Sequence, residues 1–258
     1  MNEVNDKRIF IVGGGSGIGL ATVEHFLAVE AKVAVMDINQ QSLKKLAERV
    51  NKPDFLLTME GDVRKKEQVE FAFSQMTKKW GGVDTLIYSA GVFPDAPILE
   101  MEETQWDHVL DINLKGAFLV CQKAAARMIE QGTAGQIITI SSGSYQSARI
   151  GSGHYCASKA GVVMLTKVLA LELAEHHIQV NSIAPGLVKS ERLEEDYITT
   201  FSRRIPFGRP AEPWEISKMI EMMISTGNSY MTGQVLSVDG GLSAGHFGLP
   251  LSNKSEKL

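Results

Sequence analysis

The sequence predicts an α/β fold, a single-domain doubly wound parallel sheet of seven strands with helices on both faces. Three observations predict it. Seven short apolar runs, several rich in β-branched residues, recur along the 258 residues. Segments with 3.6-residue apolar spacing separate them, and a glycine-rich turn joins the first run to the first helical segment.

The first run, "RIFIV" (8–12), is apolar on four consecutive positions, as a strand buried on both faces of a parallel sheet requires. "IVGGGSGIGL" follows it and opens the amphipathic segment "GLATVEHFLAVE". The second run is "KVAVM" (32–36), ending at Asp37, and the third is "DFLLTM" (54–59). "QVEFAFSQMTKKW" carries helical spacing and leads to "DTLIYS" (84–89). The apolar helix pattern "GAFLVCQKAAARMI" precedes "QIITIS" (136–141). "GVVMLTKVLALELA" then leads to "IQVNSI" (178–183), and the last run is "QVLSV" (234–238). Strand–helix alternation of this kind implies right-handed crossovers. Two stretches depart from it: a long polar connection over 187–211, and a glycine-rich, then charged tail after Gly241. The expected layout is one domain over 1–241, with 187–211 as a substrate loop, and a C-terminal tail over 242–258.

Bulk properties exclude several classes. A net charge of −4 and a pI near 5.9 give no electrostatic reason to expect nucleic acid or an anionic membrane as partner. The most apolar helix pattern is interrupted by Lys167 and Glu172, short of what a membrane span needs. The polar start, "MNEVNDKRIF", does not resemble a secretory signal, and the two cysteines, Cys121 and Cys156, form neither a disulfide framework nor a metal-ligand spacing. No metal is expected, and a cytoplasmic location is.

Glycines after a first strand can bring backbone N–H groups onto a pyrophosphate at a helix N-terminus. Here the spacing is Gly13-x-x-x-Gly17-x-Gly19, which makes Gly13, Ser16, Gly17, Ile18 and Gly19 candidate cofactor-binding residues. Asp37 follows 18 residues after Gly19, at the end of the second strand, where a carboxylate can accept hydrogen bonds from an adenosine ribose. The same charge repels a 2′-phosphate, and neither Ser16 nor Ile38 offers a compensating cation. NAD is therefore expected over NADP.

"SGHYCASKAG" (152–161) places Tyr155 and Lys159 one helical turn apart on one face. A free phenol titrates at about 10, and a nearby ammonium shifts a pKa by roughly 1–3 units towards the charged form. The pair therefore suits proton transfer near neutral pH. Ser142, thirteen residues before Tyr155, ends an apolar strand, where open α/β sheets place their ligand crevices.

The glycine turn, Asp37, "GDV" (61–63), "SAG" (89–91), "DIN" (111–113), "ISS" (140–142), Tyr155-x-x-x-Lys159 and "NSIAPG" (181–186) together resemble the short-chain dehydrogenase/reductase family, in its ordinary branch of about 250 residues. The resemblance covers residues 8 to about 241 and implies a Rossmann-type sheet. It implies that Tyr155 is the general acid/base and that Lys159 lowers its pKa and holds the nicotinamide ribose. Ser142 would orient the substrate oxygen, and Asn113 would hold a water in a proton relay. Asp62 and Val63 would flank adenine, and Ala90 and Gly91 would lie beside the cofactor. Pro185, Gly186 and Val188 would border the nicotinamide, with Ser190 donating a hydroxyl to its amide. The family also implies a homo-oligomer, a dimer or a tetramer, with helices near 102–130 and 154–174 and the last strand at interfaces.

Three positions depart from the family pattern. Val12 precedes the glycines where threonine is usual, Ser89 replaces an asparagine in "YSAG", and Ser190 replaces a threonine. None removes a group needed for chemistry. Ser144, Arg149 and Tyr155, with Ser142, are the candidate substrate-binding residues, and Phe93, Tyr145 and His154 are further crevice candidates.

The expected activity is hydride transfer between NAD(H) and a secondary alcohol or ketone. The loop's polarity favours a polar small molecule such as a sugar, polyol or hydroxy acid. A non-catalytic NAD-binding regulator of the same fold is the alternative, against which the complete Asn113, Ser142, Tyr155, Lys159 set weighs. An epimerase or dehydratase is disfavoured by the short chain. "GLSAG" (241–245) matches a hydrolase elbow in letters, without the strand-to-helix context that motif needs.

Overall fold

β-Branched and large apolar side chains on successive positions leave a segment no solvent-facing side, so it must be covered on both faces. The computed structural model, which describes residues 4–225, 229–245 and 247–248, places seven such segments in one sheet. They are β1 (Arg8–Val12), β2 (Lys32–Asp37), β3 (Leu56–Glu60), β4 (Thr85–Tyr88), β5 (Gln136–Ile140), β6 (Gln179–Pro185) and β7 (Val235–Val238). Every pairing is parallel, in the order β3-β2-β1-β4-β5-β6-β7. All seven strands lie where the apolar runs predict them. The third begins two residues late, because the N–H groups of Phe55 and Leu56 both turn back onto the Lys52 carbonyl. Edge strand β7 is only half-buried, unlike the central strands.

Side chains of β1 alternate between two cores. Phe10 and Val12 join one with α3 (Lys66–Trp80), α5 (Gly116–Gln131) and α6 (Gly153–Glu172). Ile9 and Ile11 join the other with α1 (Gly17–Ala28), α2 (Gln40–Val50) and α8 (Pro213–Ile224). Full burial of each such side chain stabilises by roughly 1.5–3 kcal/mol.

The strand order reverses between β1 and β4, so the connections that follow them leave to opposite faces of the sheet and a crevice opens beyond their C-terminal ends. Two local features shape it. Between α4 (Glu103–Leu110) and α5 lies a π-helical turn, Asp111–Lys115, closed by an i→i+5 bond from Gly116 N–H to the Asp111 carbonyl. The Tyr88 hydroxyl, at the end of β4, donates to the Ile112 carbonyl in that turn at 2.5 Å. Second, the 187–211 connection is not merely loop. It contains α7 (Glu195–Ser202), and its base is closed by a bridge between Val188 and Ala211. The Lys189 N–H donates to the Ala211 carbonyl at 2.8 Å, and the Ala211 N–H to the Leu187 carbonyl at 2.9 Å.

Among the described residues no helix is long and apolar enough to cross a membrane. Cys121 and Cys156 are free thiols, and burial pushes Cys121 up to about 12. The "GLSAG" segment is a turn whose Gly241 and Ser243 N–H groups donate to the Asp239 carboxylate, not a strand-to-helix elbow. Of the expected tail, residue 246 and residues 249–258 lie outside the described residues.

Candidate active site

The glycine turn leaves no room for a side chain at Gly13 or Gly19. A Cβ on Gly13, at φ +83°, would lie 2.4 Å from the Ala90 backbone nitrogen, and one on Gly19 only 2.0 Å from the Gly13 carbonyl oxygen. Gly17 adopts φ +53°, a conformation that favours glycine. Ser16 caps α1 without a side-chain bond, and the helix carries no acidic residue in its first turn. Its leading N–H groups therefore lack a side-chain cap, and no carboxylate in that turn opposes an anion. These features fit a dinucleotide's pyrophosphate.

Gly15, outside the motif spacing, has its own task. Its N–H donates to Asp37 Oδ2 at 2.8 Å, while the Asn39 N–H donates to Oδ1 at 2.9 Å. A Cβ on Gly15 would sit 2.7 Å from that carboxylate oxygen. The only sequence signal for this was the third glycine in the run. Asp62 and Val63 are nearly buried, and Arg64 grips the Asp62 carboxylate through Nε at 2.9 Å and Nη2 at 2.6 Å. That bond holds Asp62 below the usual carboxylate range, and its N–H is taken by Gln68. What these two positions offer a ligand is therefore a rigid wall.

Tyr155 and Lys159 lie on α6, and the Ser142 hydroxyl is near enough to the phenol to favour the phenolate. Ser142 Oγ also accepts the Ser144 N–H at 3.2 Å, which fixes it at the start of a short 3₁₀ turn, Gly143–Tyr145. The Phe93 ring stands edge-on to Tyr155, centroids 6.3 Å apart. Lys159 is buried, its Nζ 5.7 Å from the Tyr155 ring centre and donating to the Ile140 carbonyl at 2.8 Å. Burial pushes its pKa down to about 8. A Cβ on Gly91 would lie 3.5 Å from Lys159 Nζ and 3.3 Å from Asn113 Oδ1, so the bare glycine opens the crevice onto both.

One expectation needs correction here. Lys159 was expected to draw the Tyr155 pKa down, yet the phenol stands above its ordinary value. Burial is the largest influence, the Ser142 hydroxyl and the Arg149 charge oppose it, and the lysine ammonium is directed to a backbone carbonyl instead. The carboxamide of Asn113, the residue expected to hold a water in a proton relay, is engaged within the protein. Its Oδ1 accepts the Val92 N–H at 2.8 Å, and its Nδ2 donates to the Val92 carbonyl at 2.9 Å and to Ser158 Oγ at 3.1 Å. It braces the loop after β4 against α6.

A family model described as Enoyl-(Acyl carrier protein) reductase matches residues 13–243. A solved short-chain type dehydrogenase/reductase from Mycobacterium marinum superposes with a TM-score of 0.90 at 35% identity, covering 94% of this chain and 98% of that one. The chain belongs to the short-chain dehydrogenase/reductase family. Among curated members it is 38% identical to the 3-oxoacyl-acyl-carrier-protein reductase FabG of Thermotoga maritima, over 93% of this chain and 99% of that protein. It is 34% identical to the NAD-dependent glycerol dehydrogenase of Listeria innocua, over 93% and 94%.

Within this short-chain dehydrogenase/reductase fold the substrate-side candidates divide. Pro185 ends β6, and Gly186 packs so closely on Asp239 that a Cβ would meet its Cα at 2.8 Å. Val188 is fixed by the bridge to Ala211, and Ser190 Oγ accepts the Arg192 N–H at 3.2 Å. His154, expected to line the crevice, is instead fully buried, its Nδ1 accepting the Tyr155 N–H at 2.9 Å. Arg149 is engaged by Asp95 and Tyr197. Surface hollows of about 220 Å³ beside α5 and about 490 Å³ beside α7 contain none of the candidate site residues, so the site rests on its side-chain constellation. Among the described residues no group of three or more His, Cys, Asp or Glu could hold a metal.

Proposed function

We propose that this short-chain dehydrogenase/reductase moves a hydride between NAD(H) and a secondary alcohol or ketone on a polar small molecule. The observation that carries this reading is the grouping of Tyr155, buried Lys159 and the Ser142 hydroxyl below the open face of Gly91. When bound, the nicotinamide supplies the hydride chemistry. The chain supplies position and protons. The Tyr155 hydroxyl gives its proton to a carbonyl oxygen during reduction and recovers it during oxidation. Ser142 donates to the same oxygen and stabilises the developing charge. Lys159 keeps ammonium protons beyond its bond to Ile140, directed towards the Gly91 face, where a ribose would lie. Asn113 holds the Val92 backbone that shapes that face.

The case for NAD rests on Asp37, whose carboxylate is aimed at the turn by two backbone N–H groups and would meet a 2′-phosphate as a like charge. The Listeria relative, an NAD-dependent glycerol dehydrogenase, supports the same choice. Asp37→Ala is expected to weaken NAD use by roughly tenfold, the value of one good charge-assisted hydrogen bond, and to raise use of NADP. Initial rates with both nucleotides check this, and a wild-type preference for NADPH would remove the reading. Substrate is tested with NADH formation over glycerol, polyols, sugars and hydroxy acids, and no turnover on any of them would reject the polar-alcohol reading.

A second reading, reduction of a 3-oxoacyl thioester, has its own support. The bridge between Ala96 and Ser152 brings exposed Ile98, Leu99 and Ile150 together at the head of α6, an apolar landing for an acyl chain. A 3-oxoacyl thioester in the same panel separates the two. We also propose a dimer or tetramer formed through exposed Trp106, Phe118, Met164, Val168 and Leu171 on α4–α6, and a reducing, cytoplasmic setting for the two free thiols. Light scattering tests the assembly.

A further inference from the structure

Four polar side chains from three parts of the chain meet beside Tyr155, and none belongs to the family motifs quoted above. Arg149, in the loop before α6, donates from Nη2 to Asp95 Oδ1 at 2.5 Å and from Nη1 to Asp95 Oδ2 at 3.5 Å. Its Nη1 also donates to the Tyr197 hydroxyl at 3.3 Å. Asp95 comes from the loop after β4, and Tyr197 from α7 in the 187–211 connection. Buried Ser152 donates its hydroxyl to Asp95 Oδ1 at 3.1 Å, and the Ala96 N–H donates to the Gly151 carbonyl at 2.8 Å. The loop after β4 is thus locked to the loop that leads into the Tyr155 helix. The hydrogen bond from Arg149 to Tyr197 joins α7 to the Tyr155 side of the crevice.

We propose that Arg149 is a positioning residue that ties α7 to the Tyr155 segment, with its guanidinium forked between Asp95 and Tyr197. This deepens the proposed function, because it assigns the substrate side of that same site. It also changes the role expected for Arg149. A guanidinium already forked to a carboxylate is a poor receptor for a second anion, and the fork is a geometry lysine cannot copy.

The fork has an electrostatic consequence. The charged and titratable groups facing the Tyr155 phenol are Arg149 from the preceding loop, Lys159 and Cys156 on its own helix, with His154 behind it and Asp95 behind Arg149. Of these, Arg149 favours the phenolate, whereas Lys159 is bonded to Ile140. Docking of α7 and proton release from Tyr155 therefore share one cation. Movement of α7 away from the site leaves Arg149 paired to Asp95 alone, and substrate seated under α7 keeps the fork complete.

The test needs no substrate. Tyrosinate absorbance is titrated in the full chain, with Tyr155→Phe subtracted to isolate Tyr155, alongside amide exchange of Glu195–Ser202. Arg149→Gln is expected to move the Tyr155 titration to higher pH, enough to cut phenolate at a given pH by roughly three- to tenfold, and to speed exchange in α7 severalfold. Arg149→Lys is expected to restore the titration and not the exchange, since it keeps the charge without the fork. Tyr197→Phe is expected to speed exchange and leave the titration in place. An unmoved titration in Arg149→Gln, or unchanged α7 exchange in both Arg149→Gln and Tyr197→Phe, overturns the proposal. Neither readout depends on turnover, so failure of the alcohol panel would leave this result standing, and the reverse.

Discussion

Tyr155→Phe is expected to lower kcat by about 10²–10⁴-fold, the range for loss of a positioned acid/base, with nucleotide binding retained. The substitution removes one oxygen and leaves the ring, its edge contact with Phe93 and the Lys159 bond to Ile140 in place. Ser142 Oγ keeps the Ser144 N–H, so the loss in stability should stay near 1 kcal/mol. Quenching of protein fluorescence by NADH measures binding, and single-turnover kinetics measure chemistry. Equal loss of both would show that the phenol serves packing or binding and not proton transfer. The pH dependence has a definite sign. Oxidation needs the phenolate, and burial holds the phenol above its ordinary value, so oxidation should keep rising through the alkaline range. Reduction needs the protonated phenol and should stay level across neutral pH.

The strands were legible because their side chains have no polar face: Ile9, Phe10, Ile11 and Val12 leave burial on both sides as the only arrangement. Tyr155 and Lys159 were legible because helical spacing places i and i+4 on one face. What spacing cannot give is the environment of each group. Nothing in "YCASK" says that Lys159 meets the Ile140 carbonyl, so the direction of the Tyr155 shift was missed. The π-helical turn at Asp111–Lys115 was hidden because one extra residue barely disturbs a 3.6-residue apolar pattern. His154 sits among polar and small residues in "SGHYC" and reads as a crevice residue, yet its ring is used to accept the Tyr155 N–H. Arg149 and Asp95 stand 54 residues apart, in loops whose packing no periodicity encodes. α7 was missed because charge dominates its flanks, and only Ile198 and Phe201 supply an apolar face.

Lys159→Met is expected to separate stability from activity. At neutral pH Lys159 carries its charge in a buried site, and the fall of its pKa from 10.5 to about 8 marks how unfavourable that is. At 1.36 kcal/mol per unit this corresponds to ~3 kcal/mol of destabilisation relative to a neutral side chain of similar length. Between about pH 8 and 10.5 the unfolded chain holds a proton at this position that the native protein has released, so native stability from this group rises with pH across that window. Methionine has no charge to desolvate. The variant should therefore unfold at higher urea than the wild type at pH 7, by up to ~3 kcal/mol less the bond to Ile140, and the gap should close towards pH 10.5. Taking the difference between the two proteins removes the opposite trend from Cys121, whose thiol is pushed from 9 to about 12 in both. Activity should fall by about 10²–10⁴-fold despite the added stability, if the ammonium serves the proton path. A variant less stable than the wild type at pH 7, or a gap that widens with pH, would mean that Lys159 is held by stronger partners than one backbone carbonyl. A variant that gains stability and keeps its turnover would leave the phenol working without its neighbour, and would shift the weight of the proton path onto Ser142 and Arg149.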